Sequence, residues 1–267
     1  MQRVSKKRLK KFYEREAEHL SHQKIMYLKG DKYELWWHRK RLYYIISFLS
    51  EIFKKTQIVA FVDIGCAEGF YVKNVASLHD RTFCIGVDIA RAYIRKARSN
   101  YNALNTDYIV CDVENLPFKH NSIDVVLCSE VLEHVYNYRR SLAELSRVGS
   151  QYLVISFPGH SYLYKLISKL KPIKKLADNL LPNVGHVSEI KVVDIQEALK
   201  GQCKSLKIDI SGALPLLLFR IIPSIGVVGA IDSLFCKVLR YFGAVDHATI
   251  HVIKIVKGGG IPKRKKL

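Results

Sequence analysis

No two of the six cysteines form a Cys-x-x-Cys pair. Cys66, Cys84, Cys111, Cys128, Cys203 and Cys236 are scattered, and four sit in or beside apolar runs that read as buried strands. The spacing of a zinc site is missing, so no metal is expected. Small buried thiols in a reducing compartment account for such cysteines. No apolar run follows the basic start either, so it does not read as a secretory signal. A cytoplasmic location is expected, with contact at a membrane surface as its variant. No uncharged apolar run reaches the ~20 residues of a membrane span. The nearest, Ala213 to Ile231, is divided by Arg220 and interrupted by Pro215 and Pro223. It reads as a partly helical insertion, packed on a sheet or lining an apolar substrate site. A dip into the membrane surface is the alternative.

Acid is scarce as well. There are 24 Asp and Glu against 43 Lys and Arg, a formal net charge of +19. The imbalance lies at the ends. Residues 1–58 hold 15 basic and 6 acidic residues, and residues 257–267 hold 5 basic and no acidic ones. That is a footprint for an anionic partner: RNA, an anionic membrane surface or an anionic substrate. A solvated basic helix and a disordered tail explain it equally. A chain of 267 residues, 49% hydrophobic, is one domain with a cover or insertion.

What is present centres on residues 59–69. The apolar run Val59-Ala60-Phe61-Val62 leads to Asp63, then a turn holds Gly65 and Gly69. Phe70, Val72, Val75 and Leu78 follow at roughly helical spacing. Strand, glycine turn and helix present backbone N–H groups to a ligand. The dinucleotide fingerprint Gly-x-Gly-x-x-Gly is absent; the pattern is Asp-x-Gly-x-x-x-Gly, with Ala67 inside it. Asp63 would repel a pyrophosphate and suits a ligand with a cationic end. That points away from NAD and towards S-adenosylmethionine, which carries an ammonium and a sulfonium. Further strands read as 82–87 ending in Asp88, 108–111 ending in Asp112, and 123–128 ending in Ser129-Glu130. Asp88 can accept hydrogen bonds from both hydroxyls of a ribose.

Four segments in order carry a resemblance: Val62-Asp63-Ile64-Gly65-Cys66-Ala67-Glu68-Gly69; Gly86-Val87-Asp88; Cys111 to Phe118; and Ser129-Glu130-Val131-Leu132-Glu133-His134-Val135. Together they resemble the class I S-adenosylmethionine-dependent methyltransferases over about residues 40–160. The resemblance implies a doubly wound, mostly parallel seven-stranded α/β sheet of Rossmann-like type. N-terminal helices would precede it, and a helical insertion would precede an antiparallel last strand. It also implies cofactor contacts. Asp63, Gly65, Cys66, Ala67 and Gly69 would hold the methionine part, and Asp88 the ribose. Ile89 would pack on the adenine face, and Asp112 and Val113 would meet its edge. Ser129 and Glu130 would line the floor.

The remaining boundaries follow. A basic helical cover spans 1–56, the cofactor domain 57–257, and a disordered basic tail 258–267. Stretches 158–188 and 213–245 are substrate-side insertions. Residues 3–28, 33–53, 131–147 and 190–200 read as helices, with strands at 151–157, 206–210 and 249–256. Trp37 and Arg39 are expected near the cofactor or the substrate mouth, or else simply to dock their helix. A base for a hydroxyl acceptor would be His134 or His186, with His160 third. The Asp/Asn-Pro-Pro-aromatic motif of exocyclic-amine enzymes is missing, as is the Pro-Cys pair of cytosine-C5 enzymes. The expected acceptor is small or amphiphilic (lipid, sugar or quinone-like), methylated at oxygen. An RNA methyltransferase and a non-catalytic cofactor-binding scaffold are the alternatives.

Overall fold

The run before Asp63 forms a strand, β1 (Ala60–Ile64), buried from Phe61 onwards. Burial on both faces is what a near-continuous apolar strand requires, and only the middle of a covered parallel sheet provides it. The computed structural model describes residues 6–19, 32–159, 187–212 and 225–258. Two helices, α1 (Lys6–His19) and α2 (Lys32–Lys55), precede β1. Then come α3 (Phe70–Leu78), β2 (Phe83–Asp88), α4 (Arg91–Asn100), β3 (Thr106–Val110) and β4 (Ile123–Ser129). They are followed by α5 (Tyr138–Val148), β5 (Gly149–Pro158), α6 (Val192–Ala198), β6 (Cys203–Ser211), α7 (Ile225–Tyr241) and β7 (Ile250–Lys257).

The seven strands form one sheet in the order β3-β2-β1-β4-β5-β7-β6. β1 pairs in parallel with β2 on one side and β4 on the other. β7 runs antiparallel to both β5 and β6. The expected architecture is therefore present, with the reversed strand in the expected place. The winding changes direction between β1 and β4, which leaves a crevice outside their carboxyl ends.

Helix α2 covers one face of the sheet with Ile45, Phe48, Leu49 and Ile52, spaced at three and four residues. It belongs to the core rather than to a detachable cover. On the opposite face, Leu142 and Leu145 of α5 and Val192 and Ile195 of α6 pack against β4 and β5.

Three boundaries depart from expectation. The helix expected over 131–147 is broken: a 3-10 turn spans Leu132–His134, Val135 is extended, and α5 starts at Tyr138. Asn137 caps α5 by accepting from the Arg140 N–H at 3.0 Å. β3 begins and ends earlier than expected, so Cys111 lies outside it. β6 is longer than expected because it pairs along the whole of β7. The basic tail from 259, residues 160–186 of the first insertion and residues 213–224 of the second lie outside the described residues.

Asp124 fastens the amino edge of the sheet. Its Oδ2 accepts from the Val59 and Ala60 N–H groups at 2.8 and 3.0 Å. Its Oδ1 accepts from Gln151 Nε2 at 3.0 Å and Ser150 Oγ at 3.3 Å. Asp124→Ala strands these donors around a buried site and is expected to cost about 1–3 kcal/mol. Urea unfolding measures it; an unchanged midpoint would exclude this fastening role.

Candidate active site

The carboxyl ends of β1, β2 and β4 open onto a cavity of about 230 Å3. Asp63, Gly65 and Ala67 line it from the first turn, and Asp88 and Ile89 from the end of β2. Asp112 and Val113 enter from the loop after β3, and Ser129, Glu130 and His134 from the end of β4. Cys66 and Gly69 stand behind the wall instead. Cys66 is fully buried with its sulfur against Gly86, and Gly69 is backed by Tyr108 and Ala97. His160 and His186 lie outside the described residues.

The turn is wound tightly. Gly65 (φ 73°), Ala67 (φ 44°) and Gly69 (φ 83°) are all left-handed. A Cβ on Gly65 would lie 2.2 Å from Val131 Cγ2. Ala67 holds this conformation against a steric cost of about 1–2 kcal/mol. Its N–H donates to Asp88 Oδ2 at 3.0 Å, and the Ala90 N–H donates to Asp88 Oδ1 at 2.9 Å. Each carboxylate oxygen keeps a second lone pair.

The electrostatics are unusual for so acidic a wall. Asp63 is 1% exposed, and its Oδ2 has no hydrogen-bond partner. Burial, then the charge of Asp88, holds its carboxyl well above the usual range. Burial pushes Asp88 up to about 6, against the pull of its two backbone donors. Glu130 sits at φ 57° and is raised by burial, which Arg41 opposes.

Arg41 is the cation of this site. It is 3% exposed, and its Nη1 lies 3.0 Å from Glu130 Oε2. Its guanidinium stacks 4.8 Å over the Trp37 ring, and Nη2 meets His38 Nδ1 at 3.2 Å. Ser156 Oγ donates to the other Glu130 oxygen at 3.1 Å. Trp37 packs with the core beside α2, and Arg39 is exposed. Neither lines the cavity, so docking describes Trp37, and Arg41 stands where Arg39 was expected. The signal was available: Trp37 and Arg41 are one turn apart on α2.

Glu133 also went unread. It is 3% exposed, and neither of its carboxyl oxygens has a hydrogen-bond partner. His134 Nε2 lies 3.7 Å from its Oε1. Burial and then neighbouring Glu130 hold Glu133 well above the usual range. The His134 ring meets Tyr13 of α1 edge-on at 5.7 Å.

Helix α1 closes the cavity from outside with Leu9, Tyr13 and Glu16. It is pinned at two points. Glu14 accepts from the Arg91 and Ala92 N–H groups at 2.8 and 3.0 Å, so it caps α4, whose own N-cap is Ala90. Lys6 reaches Asp112 at 3.2 Å and also pairs with Glu114. α7 does not line the cavity. The expected substrate-side role for 213–245 therefore has no support among the described residues.

A ligand with an ammonium, a sulfonium, a ribose and a flat base fits this donor set. Asp63 has an acceptor to spare beside the turn, Asp88 presents a carboxylate to the cavity, and Ile89 and Val113 are apolar. The family profile of a methyltransferase domain matches residues 62–151. Residues 62–151 are a methyltransferase domain of the class I S-adenosylmethionine-dependent kind. The chain is similar over 131 residues, at 30% identity, to norajmaline N-methyltransferase of Rauvolfia serpentina, covering 45% of this chain and 44% of that one. It is 30% identical over 118 residues to phthiotriol/phenolphthiotriol dimycocerosates methyltransferase 1 of Mycobacterium ulcerans, covering 44% and 40%. The chain thus spans less than half the length of these curated relatives. Magnesium protoporphyrin IX methyltransferase of Synechocystis PCC 6803, solved with bound SAH, shares the fold. Its TM-score is 0.61 at 14% identity, over 95% of this chain and 100% of that one.

The raised carboxyls couple the methyltransferase domain's cofactor affinity to pH. A cation and ribose hydroxyls favour the ionised carboxylates, so binding must expel any protons held there. Affinity is expected to fall as pH drops through about 6, the value for Asp88. Calorimetry in buffers of unlike ionisation enthalpy should show protons released on binding near that pH. Affinity that is flat or rises on acidification would contradict this.

Proposed function

We propose that the protein transfers a methyl group from S-adenosylmethionine to a small amphiphilic acceptor, at a hydroxyl oxygen. The observation that carries this is the half-buried His134, next to buried Glu133, in the wall of a cavity that Asp63, Asp88 and Glu130 also line. Bound there, the cofactor supplies an electrophilic methyl on a sulfonium. The chain supplies position, a dry site and a proton acceptor.

The proposed roles follow from the donors. Asp63 draws the ammonium of the methionine part, alongside the turn of Gly65, Cys66, Ala67 and Gly69. Asp88 takes the ribose hydroxyls. Ile89 and Val113 flank the adenine, with Asp112 at its edge. Ser129 and Glu130 form the floor, and Arg41 fixes Glu130 in place. His134 removes the acceptor's proton, with the Glu133 carboxyl 3.7 Å from its Nε2. A hydroxyl needs such a base, whereas a preformed carbon nucleophile does not. His186, outside the described residues, is the alternative base.

The mostly apolar wall and α1, which closes it, favour an acceptor with an apolar body. Relatives named as a norajmaline N-methyltransferase and a phthiotriol/phenolphthiotriol dimycocerosates methyltransferase support a small or lipid-like acceptor, though the first acts at nitrogen.

Two variants and one labelling experiment test the reading. Asp88→Ala and Asp88→Asn are expected to weaken cofactor binding by about tenfold to a hundredfold by calorimetry. His134→Ala should lower turnover by roughly a hundredfold or more and leave cofactor affinity unchanged. If only His186→Ala has that effect, the base is His186. Label from methyl-labelled cofactor should enter the lipid or small-molecule fraction of an extract. Label confined to RNA would overturn the acceptor.

A further inference from the structure

The outer side of α7 is apolar where a solvated helix would be polar. Its inner side is accounted for: Val228, Asp232 and Cys236 are buried, and Cys236 and Leu239 pack with Ile210 and Ala248. Asp232 is spent internally, accepting from Ser211 Oγ at 2.9 Å and the Gly212 N–H at 3.0 Å. Val227, Leu234, Val238 and Tyr241 recur at helical spacing on the other side, with exposures of 50%, 61%, 46% and 85%. Phe235 and Phe242 widen the stripe, at 44% and 75%. The stripe runs about 20 Å along the helix at 1.5 Å per residue. Scattered exposed apolar residues need no explanation, but a contiguous stripe of this size does.

We infer that α7 lies on an anionic lipid surface, with this stripe in the headgroup–acyl boundary. The charge beside the stripe selects that occupant. Lys237 carries the polar side of α7 together with Arg240, which also pairs with Asp209 at 3.2 Å, and the helix's one carboxylate, Asp232, is buried. An apolar face bordered by cations and aromatic rings is the pattern of an interfacial helix. No described helix is long and apolar enough to cross a membrane, so this one would rest in the surface plane. A second copy of the chain would bring the same cations to the same patch, on a chain of net charge +19. The inference does not depend on which acceptor is methylated, because the stripe is separate from the cavity.

Flotation of the full chain with vesicles tests it, without cofactor or acceptor. Vesicles of phosphatidylcholine with a minority of phosphatidylglycerol should bind the protein, and phosphatidylcholine alone should bind it more weakly. Leu234→Ser with Val238→Ser should reduce partition at least about tenfold. Lys237→Glu should reduce binding to the anionic vesicles only. Both substitutions are on the exposed face, and retained cofactor affinity checks that the fold survives. No vesicle binding overturns the inference. So does binding that the apolar variant leaves unchanged, which would assign it to the basic termini. A concentration-dependent dimer in light scattering, lost in the apolar variant, would assign the stripe to a second copy.

Discussion

Carboxyl groups withdrawn from water at the carboxyl edge of the sheet constrain everything around them. A lone buried carboxylate is so unfavourable that it tends to take up a proton instead. Burial raises the carboxyls of Asp63 and Glu133 well above the usual range, and that of Asp88 to about 6. Such groups stay in place only if the surrounding packing over-determines them. β1 does this through burial on both faces, and the turn does it through three left-handed residues. A cationic ligand beside these carboxyls would relieve the same strain.

Arg41 shows how the site and the core share their parts. Its helix, α2, is anchored by Ile45, Phe48, Leu49 and Ile52. That anchoring sets the rotation of the helix, and so aims the one guanidinium at Glu130. Glu130 in turn emerges at a positive φ directly after β4, where Ser156 of the neighbouring strand steadies it. A buried ion pair contributes little net stability. Its value here is geometric, since it places one carboxylate relative to another three residues on.

Much of the fold was legible because its signals are local. An apolar run, a glycine turn and a helical period are enough to locate β1, α3, β2 and α4. The carboxylates could be placed because they end strands, and parallel strands bring their ends together. What was not legible depends on phase and competition. Arg39 and Arg41 are about 200° apart around a helix, so which one faces the cavity follows from how α2 seats on the sheet. Val135 continues an apolar period, yet the Asn137 cap starts a new helix behind it and leaves His134 in a turn. Glu133 falls inside the helix expected over 131–147; the broken helix puts it indoors. Nor does the charge of α1 announce its use, since Lys6 and Glu14 are committed to partners distant in the chain.

That commitment of α1 bears on access to the site. A helix whose Tyr13 and Leu9 form part of the cavity wall bars the exit of whatever the cavity holds. Lys6 holds α1 to Asp112 and Glu114 while half in solvent, so salt would loosen that latch and with it one wall of the cavity.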